Sequence, residues 1–284
     1  MFSREHIELK SVEQIRAMRI AGLVVAEGLA AMGAAAKPGA TTQDLDRIGR
    51  KVLADHDATS NFLGYGTEWG LPPFPGVACI SVNEVVVHGI PGERELRSGD
   101  IVSIDYGAIV DGWHGDGART FAVGEIDQES RELVDVTSRS MWAGIAQIAV
   151  GHRIGDIAHA VEESILSHGR SFGIIRDYTG HGIGTAMHQA PDVPNYGRAH
   201  RGAKIVPGMC LCVEPMVTLG SDDSAELDDG WTVVSVDSSR AAHWENTVAV
   251  LPDGLWVLTE PDGGRAKLAE LGVPYGGLDQ SAAG

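Results

Sequence analysis

Five residues in this chain have the types and the setting for chemistry: Asp105, Asp116, His181, Glu214 and Glu245. Each sits in its own strand-like or glycine-rich segment. Four are carboxylates. Like charges held a few ångströms apart take up either protons or cations. With one imidazole among them, the natural counter-ions are divalent metals, and two such ions cancel four carboxylates. The chemistry this points to is metal-assisted hydrolysis.

The first pair lies in a hairpin-like stretch, Ile101 to Asp116, with Asp111-Gly112 as a two-residue turn signal. With that turn, position 105 faces 118 and 107 faces 116. Asp105 and Asp116 then share a face as diagonal neighbours, roughly 7 Å or less apart. A one-residue slip would send them to opposite faces. Glu214 ends the run Met209 to Val213 and precedes Pro215, which holds it extended. Cys210 and Cys212 alternate onto its face and are expected as small buried residues rather than ligands. Glu245 lies in an apolar, β-branched run and needs a partner there.

His181 stands among Gly180, Gly182 and Gly184, where the backbone can approach a site closely. The spacing is not a dinucleotide fingerprint, and Gly33 to Gly39 is not a phosphate loop. His88 follows Val85–Val87 at a strand end, His188 lies seven residues after His181, and His114 is expected to be structural.

The elements that must position these side chains are legible in outline. Ser11-Val-Glu-Gln14 reads as a capping box opening a helix, which Lys37-Pro38-Gly39 stops. Thr41 or Thr42 caps a second helix. Further helices are expected from about 128 to 150 and from 156 to 167. Strands are expected at 77–80, 85–87, 101–110, 117–123, 209–219, 231–236, 243–250 and 255–258. Residues 60–76, rich in Gly, Pro and aromatics, read as a long functional loop. Gly39, Asp44, Leu45 and Leu53 recur 112 positions later as Gly151, Asp156, Ile157 and Ile165. Helix-helix-strands therefore occurs twice, giving an α+β chain of two similar halves with a site between them. A single domain is expected over 1–260, with 261–284 a peripheral or flexible tail.

Composition sets limits. Twenty-two basic against 39 acidic residues give a net charge of −17, which argues against nucleic acid as a partner. Three cysteines without a CxxC pair fit a reducing, cytoplasmic setting. The start lacks a signal-peptide core, and Ala21 to Ala36, interrupted by Glu27, reads as too short for a membrane span.

Taken together, seven segments resemble the type I methionine aminopeptidases of the pita-bread (creatinase/aminopeptidase) metallopeptidase fold. They are Lys37-Pro-Gly-Ala-Thr-Thr, Ser81 to Pro91 with His88, Gly99-Asp-Ile-Val-Ser-Ile-Asp105, Asp111-Gly-Trp-His-Gly-Asp116, Gly180-His-Gly-Ile-Gly184, Glu214-Pro-Met-Val217 and Trp244-Glu245-Asn-Thr-Val248. The resemblance covers roughly residues 11–260. It implies two pseudo-symmetric helix-helix-strand halves around a central antiparallel sheet. It also implies two divalent ions (Co, Mn, Fe or Zn) on Asp105, Asp116, His181, Glu214 and Glu245, with Asp116 and Glu245 bridging. Glu214 would accept a proton from the attacking water, His88 would lie near the scissile amide, and His188 would stabilise the oxyanion. Tyr65, Phe74, Cys79 and Trp231 would form the methionine pocket. The implied substrate is the N-terminal methionine of nascent polypeptides whose second residue is small, the ribosome is a candidate partner, and a monomer free of membranes is expected.

The sequence departs from that pattern in places. The 66–73 loop is longer than in short relatives, Met187 precedes His188 where an aromatic is frequent, and His243 replaces a common Gln. Two other readings compete: a prolidase or aminopeptidase P-like peptidase, and a non-catalytic pita-bread protein that binds peptides. The first normally carries a large N-terminal domain, and the second normally loses ligands.

Overall fold

A computed structural model describes residues 6–278 of the chain. Helix α1 (Val12–Ala35) starts at a Ser11 cap: the Ser11 hydroxyl accepts from the Gln14 backbone N–H, and the Gln14 side chain accepts from the Ser11 N–H. Helix α2 (Thr42–Asp55) repeats the device with Thr41 and Asp44. The strands of the first half follow: β1 (Thr59–Ser60), β2 (Ala78–Val82), β3 (Val85–Val87), β4 (Ile101–Val110) and β5 (Trp113–Ala122).

The second half opens with α3 (Gln128–Ile145) and α4 (Ile154–Leu166). Its strands are β6 (Gly173–Ile174), β7 (Gly180–Gly182), β8 (Gln189–Val193), β9 (Cys210–Val213), β10 (Met216–Thr218) and β11 (Ser224–Glu226). They continue with β12 (Val233–Ser235), β13 (Ala241–His243), β14 (Glu245–Leu251) and β15 (Gly254–Val257), and α5 (Arg265–Glu270) comes last. The third helix ends at Ile145, short of the expected 150.

Nine strands form one antiparallel sheet in the order β1-β4-β5-β14-β9-β7-β8, with β2 on β4 and β15 on β14. The helix pairs pack on it. Val25, Leu29 and Met32 of α1 join Val102, Ile104 and Tyr106 of β4 in one core, and Leu133, Met141, Ile157 and Val161 join Leu211, Val213 and Val248 in the other. By length and composition α1 could cross a membrane; half of its apolar window is buried inside the fold. Tyr106 shows how closely the layers meet. Its hydroxyl donates to the Gly49 carbonyl at 2.8 Å, and a Cβ on Gly28 would come within 2.1 Å of its ring. Since Ile104 and Tyr106 face the helices, Asp105 between them faces the other side.

The repeat is visible in the backbone. Gly39 N–H donates to the Leu96 carbonyl and Leu96 N–H to the Ala40 carbonyl; Gly151, Ile205 and His152 make the same two bonds. The match runs on into the sheet: Gly99 and Gly208, both at positive φ, are each followed six residues later by a carboxylate, Asp105 and Glu214.

Two expected strands are broken, and the breaks carry the site. The 209–219 run splits into β9 and β10 at Glu214-Pro215, where proline has no N–H for a ladder. The 243–250 run splits at Trp244. Below the breaks β14 pairs with β9 in the main sheet, and above them β13 pairs with β10 in a separate three-stranded sheet with β6. The stretch after Glu260, expected to be peripheral or flexible, includes α5, whose Leu268 is fully buried in the second core; residues 279–284 lie outside the described residues.

Candidate metal centre

The β4–β5 hairpin has the register read from the sequence: Asp105 pairs with Ala118 and Gly107 with Asp116. Asp111 and Gly112 both take positive φ at its turn. Asp105 and Asp116 therefore project on one face. Cys79 pairs with Asp105, and Glu245 pairs with Ala118. Cys79, Asp105, Ala118 and Glu245 thus form a row across four adjacent strands, and the small Ala118 leaves room between the two acids. Glu214, one residue past the Val213–Asn246 pair, extends the row.

His181 comes from β7, pressed between β8 and β9. A Cβ on Gly180 would lie 2.3 Å from the Cys212 carbonyl oxygen, and one on Gly182 2.3 Å from that of Ala190. The glycines are what allow this approach. Nδ1 of His181 lies 2.9 Å from the Gly182 carbonyl. Only a protonated nitrogen can satisfy that acceptor, so Nε2 presents its lone pair to Glu214 Oε1, 3.3 Å away.

All eleven residues singled out in the sequence line one cavity of about 240 Å³. Acids and His181 form one end. Tyr65, Phe74, Cys79 and Trp231 form an apolar wall, with Phe74 and Trp231 packed edge to face at 5.4 Å. His88, at a positive φ of 58°, packs edge-on against the Trp231 ring, and His188 against that of His181 at 4.4 Å. The long loop supplies more of this wall than the sequence disclosed: Phe62 and Trp69 also line it, as does Met187. Phe62 and Trp69 are both aromatics of the Gly/Pro-rich 60–76 loop, which is the signal that could have found them. His114 is structural, with Nδ1 3.0 Å from Asn61 Oδ1. A larger groove of about 890 Å³, rimmed by Arg153, Arg198, Arg201 and Lys204, contains none of this chemistry.

Electrostatics define what the cavity would hold. Burial, with the charge of neighbouring carboxylates added, holds the carboxyls of Asp105, Glu214 and Glu245 well above the usual range. Burial pushes Asp116 up to about 7. Burial also pushes the imidazoles of His88 and His188 down to about 4, and those of His181 and His243 to about 3, so all four are neutral at pH 7. Asp105 Oδ1 and Glu245 Oε1 are buried without a hydrogen-bond partner. Four carboxyl groups, two of them with an unsatisfied buried oxygen, and neutral nitrogens beside them fit divalent cations.

Among the described residues, three donor groups have atoms within 4.8 Å of one another: Asp105–Asp116–Glu245, Glu214–His243–Glu245 and His181–Cys212–Glu245. Glu245 belongs to all three. Cys212 is a poor candidate, since burial raises its thiol far above the ordinary value and keeps it protonated. That agrees with its reading as a small buried residue. Cys210 is likewise buried, its thiol pushed up to about 12.

Comparison with known proteins agrees with this geometry. The sequence profile of metallopeptidase family M24 matches residues 16–252. A methionine aminopeptidase of Clostridium acetobutylicum is 47% identical over 254 residues, covering 89% of this chain and 98% of its own. Methionine aminopeptidase 1 of Mycobacterium tuberculosis is 47% identical over 261 residues, covering 90% and 96%. The crystal structure of a Thermotoga maritima methionine aminopeptidase superposes with a TM-score of 0.85 at 39% identity, over 90% of this chain and 100% of that one.

Proposed function

The chain belongs to metallopeptidase family M24 and, within it, to the methionine aminopeptidases, and from that premise we infer how its residues release an N-terminal methionine. The pita-bread fold is that of its structural relatives. The observation that carries the reading is the convergence of five donors from five segments at one end of a cavity whose other wall is apolar.

Asp105, Asp116, His181, Glu214 and Glu245 would hold two divalent ions, the number that balances four carboxylates. Glu245, which belongs to all three donor groups, is the residue best placed to serve both ions. When bound, such ions acidify water and polarise a carbonyl. Glu214 would receive the proton of the attacking water. The acidic end also suits the free α-amino group, which restricts cleavage to the first peptide bond.

His188 acts on the carbonyl oxygen. Its Nδ1 meets the Tyr65 hydroxyl, and that phenol is pushed up to about 12 by burial, so it keeps a proton with which it can donate to Nδ1. In the tautomer that accepts from Tyr65, the proton of His188 is on Nε2, free to donate to the oxygen as negative charge develops. His88, neutral and on the same cavity, is placed to contact the scissile amide. Tyr65, Phe74, Cys79 and Trp231 receive the methionine side chain, for which an aromatic and thiol wall is apt.

Nascent polypeptides are the proposed substrates, met at the ribosome in the cytoplasm by a monomeric enzyme. Three free, buried cysteines suit such a reducing compartment. A substrate panel tests the reading. Metal-loaded protein should release methionine from Met-Ala-Ser, far less from Met-Phe-Ser, and nothing from an X-Pro dipeptide. Cleavage of the X-Pro dipeptide alone would transfer the site to proline chemistry.

A further inference from the structure

The mechanism above leaves one buried nitrogen unused. His243 ends β13, and its backbone is clamped to the hairpin: its N–H donates to Thr120 Oγ1 at 2.9 Å, and its carbonyl accepts from the same hydroxyl at 2.9 Å. The side chain is 2% exposed. Its Nε2 has no hydrogen-bond partner and lies 3.6 Å from Glu214 Oε2. That is longer than a hydrogen bond, which an N–H at this nitrogen would close to about 3 Å. Glu245 Oε1, in the same donor group, is also buried and unpartnered.

The spacing suits a shared cation. Bonds of about 2.1 Å from one ion allow two donors to stand up to about 4.2 Å apart. The 3.6 Å between His243 Nε2 and Glu214 Oε2 falls inside that limit, as does the 3.3 Å between His181 Nε2 and Glu214 Oε1. Each oxygen of Glu214 therefore faces its own imidazole.

We propose that His243 is a further metal-binding residue of this centre, its Nε2 donating to an ion on the Glu214–Glu245 side. The inference rests on the dinuclear reading above and changes its ligand set: two imidazoles in place of one. Nitrogen donors favour iron, cobalt, nickel and zinc over manganese, magnesium and calcium. The replacement of a common Gln by His would then bias this protein toward the former group.

The test counts imidazoles on bound metal. Full-length, metal-stripped protein is loaded with Co²⁺, and X-ray absorption fine structure is recorded for wild type, His243→Gln and His181→Gln. Chelator competition gives Co²⁺ and Mn²⁺ affinities for the same proteins. The expected result is two imidazoles per wild-type chain and one in either variant. Co²⁺ affinity should fall about tenfold or more in His243→Gln, with Mn²⁺ affinity changing less.

One imidazole per chain in wild type, absent in His181→Gln, would overturn the proposal and leave the metallopeptidase reading standing, with His243 only steadying Glu214. No Co²⁺ or Mn²⁺ bound at all would overturn both. If His243→Gln fails to fold, as judged by its metal-free melting curve, the wild-type imidazole count decides alone.

Discussion

The phenolic oxygen of Tyr65 lies 2.5 Å from Nδ1 of His188. Tyr65 belongs to the long Gly/Pro-rich loop and His188 to the segment between β7 and β8, so this contact ties the wall of the cavity to its acidic end. It also orients the imidazole of His188.

Tyr65→Phe should therefore lower kcat with bound metal unchanged. Loss of about 1 kcal/mol of hydrogen-bond energy corresponds to a fall in kcat/KM of about five- to tenfold. Steady-state kinetics on Met-Ala-Ser with metal analysis of the same sample checks this. Unchanged kcat would dissociate Tyr65 from the reaction.

In metal-free protein the stabilising contribution of Asp116 should be lost as pH rises. Asp116 has an ordinary value of 3.8 and a folded value of about 7. A raised folded pKa stabilises fully below the unfolded value, and that contribution is lost as pH climbs through the folded one. Calorimetry of stripped protein should show Asp116→Asn melting close to wild type at pH 5 and above it at pH 8, and added Mn²⁺ should restore the advantage of the wild type. Equal melting temperatures of the two proteins at pH 8 without metal would argue against a carboxylate cluster in need of cations.

Trp231→Ala should open the apolar wall. The indole packs on Phe74 and donates to the Pro72 carbonyl at 2.7 Å, so it anchors the loop as well. We expect kcat/KM for methionine peptides to fall about ten- to a hundredfold, with a relative gain for larger N-terminal residues. Parallel losses on all substrates would place the methionine side chain elsewhere.

Gly182→Ala should be costly for its size. The new Cβ would stand 2.3 Å from the Ala190 carbonyl oxygen, which is backbone and cannot rotate away. A loss of about 1–3 kcal/mol, with weakened metal binding through displaced His181, is expected from denaturant titration. A wild-type midpoint would show that β7 has room to spare.

Much of this site was legible in the sequence because local rules control it. The Asp111-Gly112 turn sets the hairpin register, and with it the common face of Asp105 and Asp116. The capping residues Ser11 and Thr41 start the helices that cover the opposite face. What was missed depends on chain paths that no local rule fixes. Phe62 and Met187 reach the cavity through the course of two loops. The crossing of two strands between sheets at Glu214 and Trp244 was read as two unbroken strands, although Pro215 was a signal for one break. The 112-residue repeat was traced only through the helices, yet its signature continues into Gly99 to Asp105 and Gly208 to Glu214.

The most direct test of the account follows methionine release from Met-Ala-Ser while Co²⁺ is titrated into metal-stripped protein, with bound metal measured at each point. Release should be absent without metal, rise with occupancy, and drop at least about a hundredfold in Asp116→Ala and Glu245→Ala at the same total metal. Release that persists in the stripped protein under chelator, or survives both substitutions, would contradict a mechanism built on these five donors.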